Sequence, residues 1–483
     1  MHFRLVSKVL SLLSATVSLS MVWPLFWALR DGTGDAHAFV VSMVFGLTFS
    51  GLLFVPGWRE PYKDLGVKDG YIVVGLTWLI ASTIGALPYY LHGCTSSFAG
   101  AFFEAASGFT TTGATVLADI EACPRGILFW RSLTHWLGGM GIIVFTLALL
   151  PFLGVRGMEL YRAEVPGPVA EKVTPRIHQT ALYLWGIYTM LTLSESVFLM
   201  FGGMNFFEAV THSFGTIATG GFSPLNKSIG QYGSLYFETV ITLFMFLSGA
   251  NFALHYRFLR GDARAFARDE EFRTYVWIVL ASVGVITVDL LLRGNYGSLW
   301  QALRHSGFQV VSVMTTTGYI TADFEYWPAL SQWILLLLMV VGGCAGSTGG
   351  GVKVLRFLLL SRHSRAEFKR ILHPRMILHV RVGGKIVDDA VVGSVATFFV
   401  LYMTIFAAGV LTLTALGLDV LSALSGAAAT LGNVGPALGV LGPMDNFGVV
   451  SEGALWVFSA LMLLGRLELY TLLLLLVPGT WRK

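Results

Sequence analysis

Charged side chains are scarce in this chain. Lys, Arg, Asp and Glu make up 12% of its 483 residues, hydrophobic residues make up 55%, and mean hydropathy is +0.69. Soluble domains carry about 25% charged residues, so this composition excludes an ordinary soluble fold. Cysteine is scarcer still: Cys94, Cys123 and Cys344 are too few for a disulfide framework. His135, His212, His255 and His305 lack metal-ligand spacing and read as capping or interface residues. The apolar segments hold no convergent Ser-His pair, paired aspartates or His/Asp/Glu metal set. The chain is therefore not read as an enzyme, and no covalent cofactor or nucleic-acid partner is expected. The first apolar stretch, Val9 to Trp27, lacks an Ala-x-Ala-like cleavage site and reads as a retained helix rather than a signal peptide.

What is abundant is apolar sequence. A helix needs about 20 apolar residues to cross the hydrocarbon core. Such runs begin near Val9, Ala38, Tyr71, Ile127, Ala181, Leu235, Tyr275, Pro328, Val391 and Leu455, which predicts about ten spans. Basic residues cluster at Arg4 and Lys8, Arg59 to Lys68, Arg156 to Arg176, Arg257 to Arg273, Lys353 to Lys385 and Arg482-Lys483. Short cytoplasmic loops collect Lys and Arg, so both termini are expected inside. The opposite loops carry Asp119, Glu121, Asp323, Glu325 and Asp445, a mildly cation-attracting outer mouth.

Four short Thr/Gly-rich segments recur at intervals of roughly a hundred residues, each after a short apolar stretch. They read Thr110-Thr111-Thr112-Gly113-Ala114, Ile217-Ala218-Thr219-Gly220-Gly221, Thr315-Thr316-Thr317-Gly318-Tyr319 and Thr430-Leu431-Gly432-Asn433-Val434. The preceding stretches, Phe98 to Phe109, Phe206 to Ile217, Leu299 to Met314 and Val420 to Ala429, are too short to cross and read as re-entrant helices. A serine recurs before each aligned glycine, at Ser107, Ser213, Ser312 and Ser425. The expected fold is all-α and polytopic, with four span, pore helix, span repeats around a central pore. Its parts are a two-span leading module over 1–68 and repeats over 69–176, 177–271, 272–386 and 387–483.

Irregular backbone at membrane depth is tolerated only where protein buries it or it lines a watery cavity. Glycine allows positive φ without a Cβ clash, so carbonyls can turn toward one axis and replace the hydration shell of a hard cation. A lone Thr-Thr-Gly would carry no weight, because small residues are common at membrane helix contacts. Four of them in one position predict a cation filter.

The run from Gly342 to Gly351 has seven glycine or alanine residues in ten, so a helix is not expected to persist through it. It is not a Walker loop, since Gly351 is followed by Val352-Lys353-Val354 and no strand precedes it. It reads as a flexible plug beneath the filter, or as a helix kink with close packing. Arg466 and Glu468 lie inside the last span, two positions apart, and are expected to have different partners. Glu195 and Asp289 read as interspan hydrogen-bonding groups or, for Asp289, as lying near the outer edge; they are also the only features inviting proton coupling. Cys94 and Cys123 flank the first Thr/Gly segment on the outer side, and a bridge and two free thiols both stay open. Cys344 reads as a small packing residue. The basic stretch Arg356 to Lys385 fits either anionic lipid or a docking surface.

The chain resembles the Trk/Ktr/HKT potassium transporter superfamily, most closely the bacterial Trk membrane subunit. The resemblance is carried by Thr110-Thr111-Thr112-Gly113-Ala114-Thr115, Trp136-Leu137-Gly138-Gly139-Met140-Gly141, Leu160-Tyr161-Arg162-Ala163-Glu164-Val165-Pro166-Gly167-Pro168, Gly342 to Gly351 and Gly465-Arg466-Leu467-Glu468. It implies potassium uptake across a bacterial inner membrane, a homodimer in which each protomer conducts, and a ring-shaped cytosolic regulatory subunit that binds the nucleotide. Carried over by position, the filter comprises Thr111, Thr112 and Gly113, Ala218, Thr219 and Gly220, Thr316, Thr317 and Gly318, and Leu431, Gly432 and Asn433. A serine at the first of these glycine positions accompanies sodium permeation in the family, so Gly113 implies potassium. The gate expected beneath is Gly346, Ser347, Thr348, Gly349 and Gly350 with Arg466. An ion-coupled potassium symporter, driven by protons or sodium, is the alternative.

Overall fold

Four times along the chain a long apolar helix is followed by two shorter ones. The four outer helices are Val67–His92, Ile177–Phe201, Glu270–Leu292 and Asp389–Ala415; the pore helices are Phe98–Phe109, Phe206–Ile217, Leu299–Met314 and Val420–Leu431. The inner helices are Arg125–Gly139, Leu235–Ser248, Ala329–Val341 and Glu452–Arg466. This computed structural model describes residues 2–59, 66–141, 177–376 and 378–481. The motif from Leu160 to Pro168, the basic cluster Arg156 to Arg176, Lys63, and Arg482-Lys483 lie outside the described residues.

Each pore helix starts on a side chain that accepts a backbone N–H of its first turn: Ser97 from Gly100, Asn205 from Glu208, Ser298 from Gln301 and Asp419 from Ser422. The bodies of these helices are deeply buried, whereas the outer helices turn Leu193, Val197, Leu280, Val288, Val400 and Leu411 outward. An outward apolar face with its backbone paired internally is what a lipid-facing helix requires. The fourth pore helix runs two residues beyond the expected Ala429.

The inner helices depart from expectation. They contain 15, 14, 13 and 15 residues, about 20 to 22 Å at 1.5 Å per residue and short of a span. Beyond the second and fourth, the chain resumes as Phe252–Leu259 and Tyr470–Leu476, bent by 98° and 119°. Only the third was expected to break. Among the described residues six helices are, by length and composition alone, long and apolar enough to cross a membrane, or eight if each bent pair is one span. Hydropathy reads Gly249-Ala250-Asn251 and Leu467-Glu468-Leu469 as interior to apolar runs, yet Glu468 and Leu469 take φ of 55° and 59°, which no helix continues.

The leading module packs Phe3–Ser20 against Ala36–Phe54, with Gly46 seated on the Ser18 side chain, and both helices pack on the first outer helix. The only strands among the described residues, Arg381–Val382 and Lys385–Ile386, pair antiparallel in a small hairpin after the helix Val354–Leu372.

Candidate functional site

All four pore helices end in the same way. The residue after the C-cap is left-handed: Thr111 at φ 54°, Thr219 at 53°, Thr316 at 61° and Asn433 at 55°. The next N–H reaches back to the carbonyl five positions earlier: Thr112 to Ser107 (2.9 Å), Gly220 to Gly215 (2.7 Å), Thr317 to Ser312 (2.8 Å) and Val434 to Ala429 (2.7 Å). This is the Schellman closure, in which glycine normally takes the left-handed place. Three of the four are threonine, for which that conformation costs about 1–3 kcal/mol and persists only where surroundings enforce it.

Two positions further on, each segment has a glycine at positive φ: Gly113 (82°), Gly221 (83°), Gly318 (78°) and Gly435 (101°). A Cβ on Gly113 would collide with the carbonyl oxygen of Gly220, one on Gly221 with that of Thr317, one on Gly318 with that of Val434, and one on Gly435 with that of Thr112. Each repeat thus lies against the next, and the fourth against the first. The contacts close into a ring. All four glycines line one outward-opening cavity of about 130 Å³, together with Arg131, Asn226 and Asp445.

This register corrects the sequence alignment in two repeats. Gly221 and Gly435, not Gly220 and Gly432, are the counterparts of Gly113 and Gly318. Ala218 and Gly432 hold the C-cap place of Thr110 and Thr315, and Leu431 is the last helical residue. The residue pairs ahead of the glycines are Thr111-Thr112, Thr219-Gly220, Thr316-Thr317 and Asn433-Val434. The sequence alignment anchored on the first visible glycine, but glycine also serves as a C-cap in the fourth repeat, where it lets the Met339 carbonyl approach. Of the recurring serines only Ser107 and Ser312 share a place; Gly215 and Ala429 occupy it in the other repeats.

Beneath the ring, the expected gate residues hold the left-handed side chains. Arg466 donates to Thr111 Oγ1 (3.2 Å), to the Thr348 carbonyl (2.7 Å) and to the carbonyls of Gly138 (2.7 Å) and Gly139 (2.8 Å). Thr219 Oγ1 donates to Thr348 Oγ1 (3.3 Å), Thr348 Oγ1 donates to the Ile217 carbonyl (3.0 Å), and the Gly350 N–H donates to Thr316 Oγ1 (2.7 Å). Asn433 donates to Thr112 Oγ1 (3.0 Å) and to the Met462 carbonyl (2.9 Å). The glycine loop therefore fills the space under the pore-helix ends. It is tied to the second inner helix by Cys344 N–H to the Gly249 carbonyl (2.9 Å) and Phe252 N–H to the Gly346 carbonyl (3.0 Å). Arg466 and Glu468 have different partners, as their spacing predicted: Glu468 pairs with Arg356, whose guanidinium lies 3.9 Å over the Phe398 ring.

Among the buried charges not singled out from the sequence, three bear on this region. Glu104 and Arg131 form an ion pair at 2.7 Å with both side chains sealed from solvent. Arg131 also donates to the Ser223 carbonyl (3.2 Å) and covers Phe222, while Glu104 accepts from the Val116 N–H (3.0 Å), so the pair braces the first two segments from behind. The signal was available as charge inside short apolar stretches. Glu271 is the third: its carboxylate accepts the N–H of Ala345 (2.6 Å) and of Leu355 (3.1 Å), straddling the neck of the glycine loop. An acidic residue in the first turn of a helix reads as ordinary dipole compensation, which hid it.

The outer loops form a second circuit. Asn226 binds Asp119 (2.9 Å) and Glu121 (3.0 Å), Gly230 binds Ile320 (2.9 Å), Glu325 lies against Gly439, and Phe447 binds Thr115 (2.8 Å). The bond from Asn226 holds the Asp119 carboxyl below its ordinary range, whereas burial, then Asp323 and Asp445, push Glu325 up. Cys94 and Cys123 are separate thiols: Cys94 Sγ meets His92 Nδ1 (2.9 Å), and Cys123 Sγ donates to the Asp119 carbonyl (3.8 Å). Cys344 is buried.

The histidines act at interfaces: His135 bridges the Gly108 carbonyl (2.7 Å) and Phe222 N–H (3.1 Å), His212 meets Ser223 (3.1 Å), His255 meets the Leu247 carbonyl (2.9 Å), and His305 stacks on Tyr296. Asp289 accepts from Ser331 (2.7 Å) between two spans, and Glu195 is buried beside Thr216 and Tyr319.

A family model described as cation transport protein, TrkH, matches residues 37–481. The Trk system potassium uptake protein TrkH of Salmonella typhimurium is 41% identical over 488 residues, covering 100% of both chains. TrkH of Vibrio parahaemolyticus is 42% identical over 491 residues with the same coverage, and TrkG of Escherichia coli 36% over 488 residues, covering 100% of this chain and 99% of its own. The crystal structure of the potassium transporter TrkH from Vibrio parahaemolyticus matches with a TM-score of 0.88 at 39% identity, covering 100% of both chains. The chain belongs to the TrkH family of cation transport proteins.

Proposed function

We propose that this chain carries potassium into the cell by gated, channel-like conduction through the ring of four segments. The observation that carries the reading is the cyclic contact of Gly113, Gly221, Gly318 and Gly435, each against the carbonyl preceding the next glycine. Four pore-helix C-termini converge there, and each contributes about half a negative charge at its carbonyl end. A potassium ion sheds its water against backbone oxygens of Thr111, Thr112 and Gly113 and their counterparts in the other repeats. The acidic outer loops raise the local cation concentration. An inside-negative potential supplies about 2.3 kcal/mol per charge per 100 mV, so uptake needs no chemical step.

Closure rests on the glycine loop and Arg466. A guanidinium on the ion path repels cations, and its hydrogen bonds to the Thr348 carbonyl and to Thr111 Oγ1 hold the loop up against the first segment. Opening is assigned to a cytosolic regulatory subunit that binds the nucleotide and docks on the basic helix Val354–Leu372. Exposed Phe368, Ile371 and Leu372 beside Arg365 and Lys369 support that surface. The reading includes a homodimer in the bacterial inner membrane with both termini cytoplasmic and anionic lipid against the basic loops. It also includes a Cys94–Cys123 bridge formed where the outer compartment is oxidising.

The test is reversal potential in liposomes holding the purified full-length protein. Potassium should set it, Gly435→Ser and Gly113→Ser should each move it toward sodium, and Arg466→Ala should raise flux about tenfold or more. Equal sodium and potassium permeation by the parent chain would overturn the reading. Buried Glu195 favours the coupled alternative; flux that follows the potassium gradient and voltage alone, with no proton or sodium moved, rejects it.

A further inference from the structure

The third outer helix begins with two adjacent carboxylates that face different partners. Glu271 turns inward and accepts the N–H of Ala345 (2.6 Å), within the glycine loop, and of Leu355 (3.1 Å), in the first turn of the helix that follows it. Glu270 turns the other way, where it pairs with the Arg362 guanidinium and accepts the Gly383 N–H (2.8 Å) of the small hairpin. The turn that carries them is fixed by Asp269, which caps it through the Phe272 N–H (2.7 Å). Leu355 and Arg362 lie on one helix, Val354–Leu372, which follows the loop directly. That helix is thus held at its first turn by Glu271 and about two turns later by Glu270.

We infer that Glu270 and Glu271 form a mechanical linkage through which displacement of the cytoplasmic helix and hairpin withdraws the intramembrane loop from beneath the ring. The inference rests on the proposed gate and adds to it how a force applied outside the membrane reaches that gate. The loop neck is otherwise closed by backbone bonds of Val352 to Val340 (2.9 Å), Lys353 to Val341 (2.8 Å) and Val354 to Gly343 (3.1 Å). The first two fasten the end of the loop to the third inner helix, Ala329–Val341. The Glu271 bonds differ in that one carboxylate joins the loop at Ala345 and the cytoplasmic helix at Leu355 to an outer helix that packs on the third pore helix. A partner that tilts Val354–Leu372 first separates Arg362 from Glu270, then draws the Leu355 N–H from Glu271, and with it the restraint on Ala345. Both residues are positioning residues. Neither touches the ion path.

Cys344, next to Ala345 and buried, reports loop position directly. In full-length protein with Cys94→Ser and Cys123→Ser it is the sole thiol, and its reaction with a membrane-impermeant thiol reagent from the cytoplasmic side measures withdrawal without reference to flux. Glu270→Gln, Arg362→Gln and Glu271→Gln are each expected to speed that reaction and raise potassium flux by about tenfold, as loss of one charge-assisted bond predicts. Unchanged labelling in folded Glu270→Gln and Arg362→Gln overturns the linkage. Arg362 is only partly buried, so its variant keeps the test decisive even if Glu271→Gln does not fold. Failure of the gate itself looks different: Arg466→Ala and the linkage variants would then leave flux unchanged while Cys344 labelling still rises.

Discussion

At the scale of single residues, the informative positions are those where a side chain holds backbone that it does not favour. Thr316 sits left-handed and accepts the Gly350 N–H, so one hydroxyl joins the third Thr/Gly segment to the glycine loop. Thr316→Val keeps the shape and removes the acceptor; the closed state should lose about 1–3 kcal/mol, read as raised leak flux with unchanged potassium preference. The outer carboxylates give a second expectation. Glu325 is raised by burial and by Asp323 and Asp445, while Asp119 is lowered, so as external pH falls toward the ordinary glutamate value of about 4.3 Glu325 is protonated first and Asp119 last. Inward flux should fall over that range as the mouth loses charge, and Glu325→Gln should flatten the profile while lowering flux at neutral pH. Composition made the threonines and acids visible. It did not show that threonine rather than glycine takes the left-handed place, because that preference is overridden by tertiary bonds from Arg466, Thr348 and Gly350.

At the scale of elements, small residues seat the first and fourth inner helices closely on the pore helices. A Cβ at Gly138 would strike the Phe109 carbonyl, and one at Gly465 the Leu431 carbonyl. Gly138→Ala should therefore destabilise the fold by about 1–3 kcal/mol, measured as a lower Tm in detergent. Gly284→Ala, in the third outer helix with no atom within 4 Å, should leave Tm unchanged or slightly raised. The pore helices were legible because their apolar length is too short for a span and their ends carry Ser, Asn or Asp caps. The breaks in the second and fourth inner helices were not. The break in the second is braced by the glycine loop, where the Gly249 carbonyl accepts the Cys344 N–H and the Phe252 N–H reaches the Gly346 carbonyl, contacts between segments far apart in sequence.

At the scale of the whole molecule, two circuits of contacts, one at the glycines and one in the outer loops, make the four repeats a single closed body. The repeats are alike in backbone and unlike in bracing: the sealed Glu104–Arg131 pair belongs to the first repeat and reaches the second through Ser223. Removing one partner strands a buried charge, so Glu104→Gln or Arg131→Met should each cost about 3–5 kcal/mol. The double variant Glu104→Leu with Arg131→Met should recover much of that loss, as measured by thermal unfolding of the purified protein. The carbonyls that meet the four glycines come from Thr112, Gly220, Thr317 and Val434, four positions with three different side chains. Since one gene encodes every quadrant, a substitution alters a single sector of the ring and leaves three untouched. Ion preference can then be adjusted by quarters, a graded kind of tuning closed to an assembly of identical subunits, where each change arrives fourfold at once.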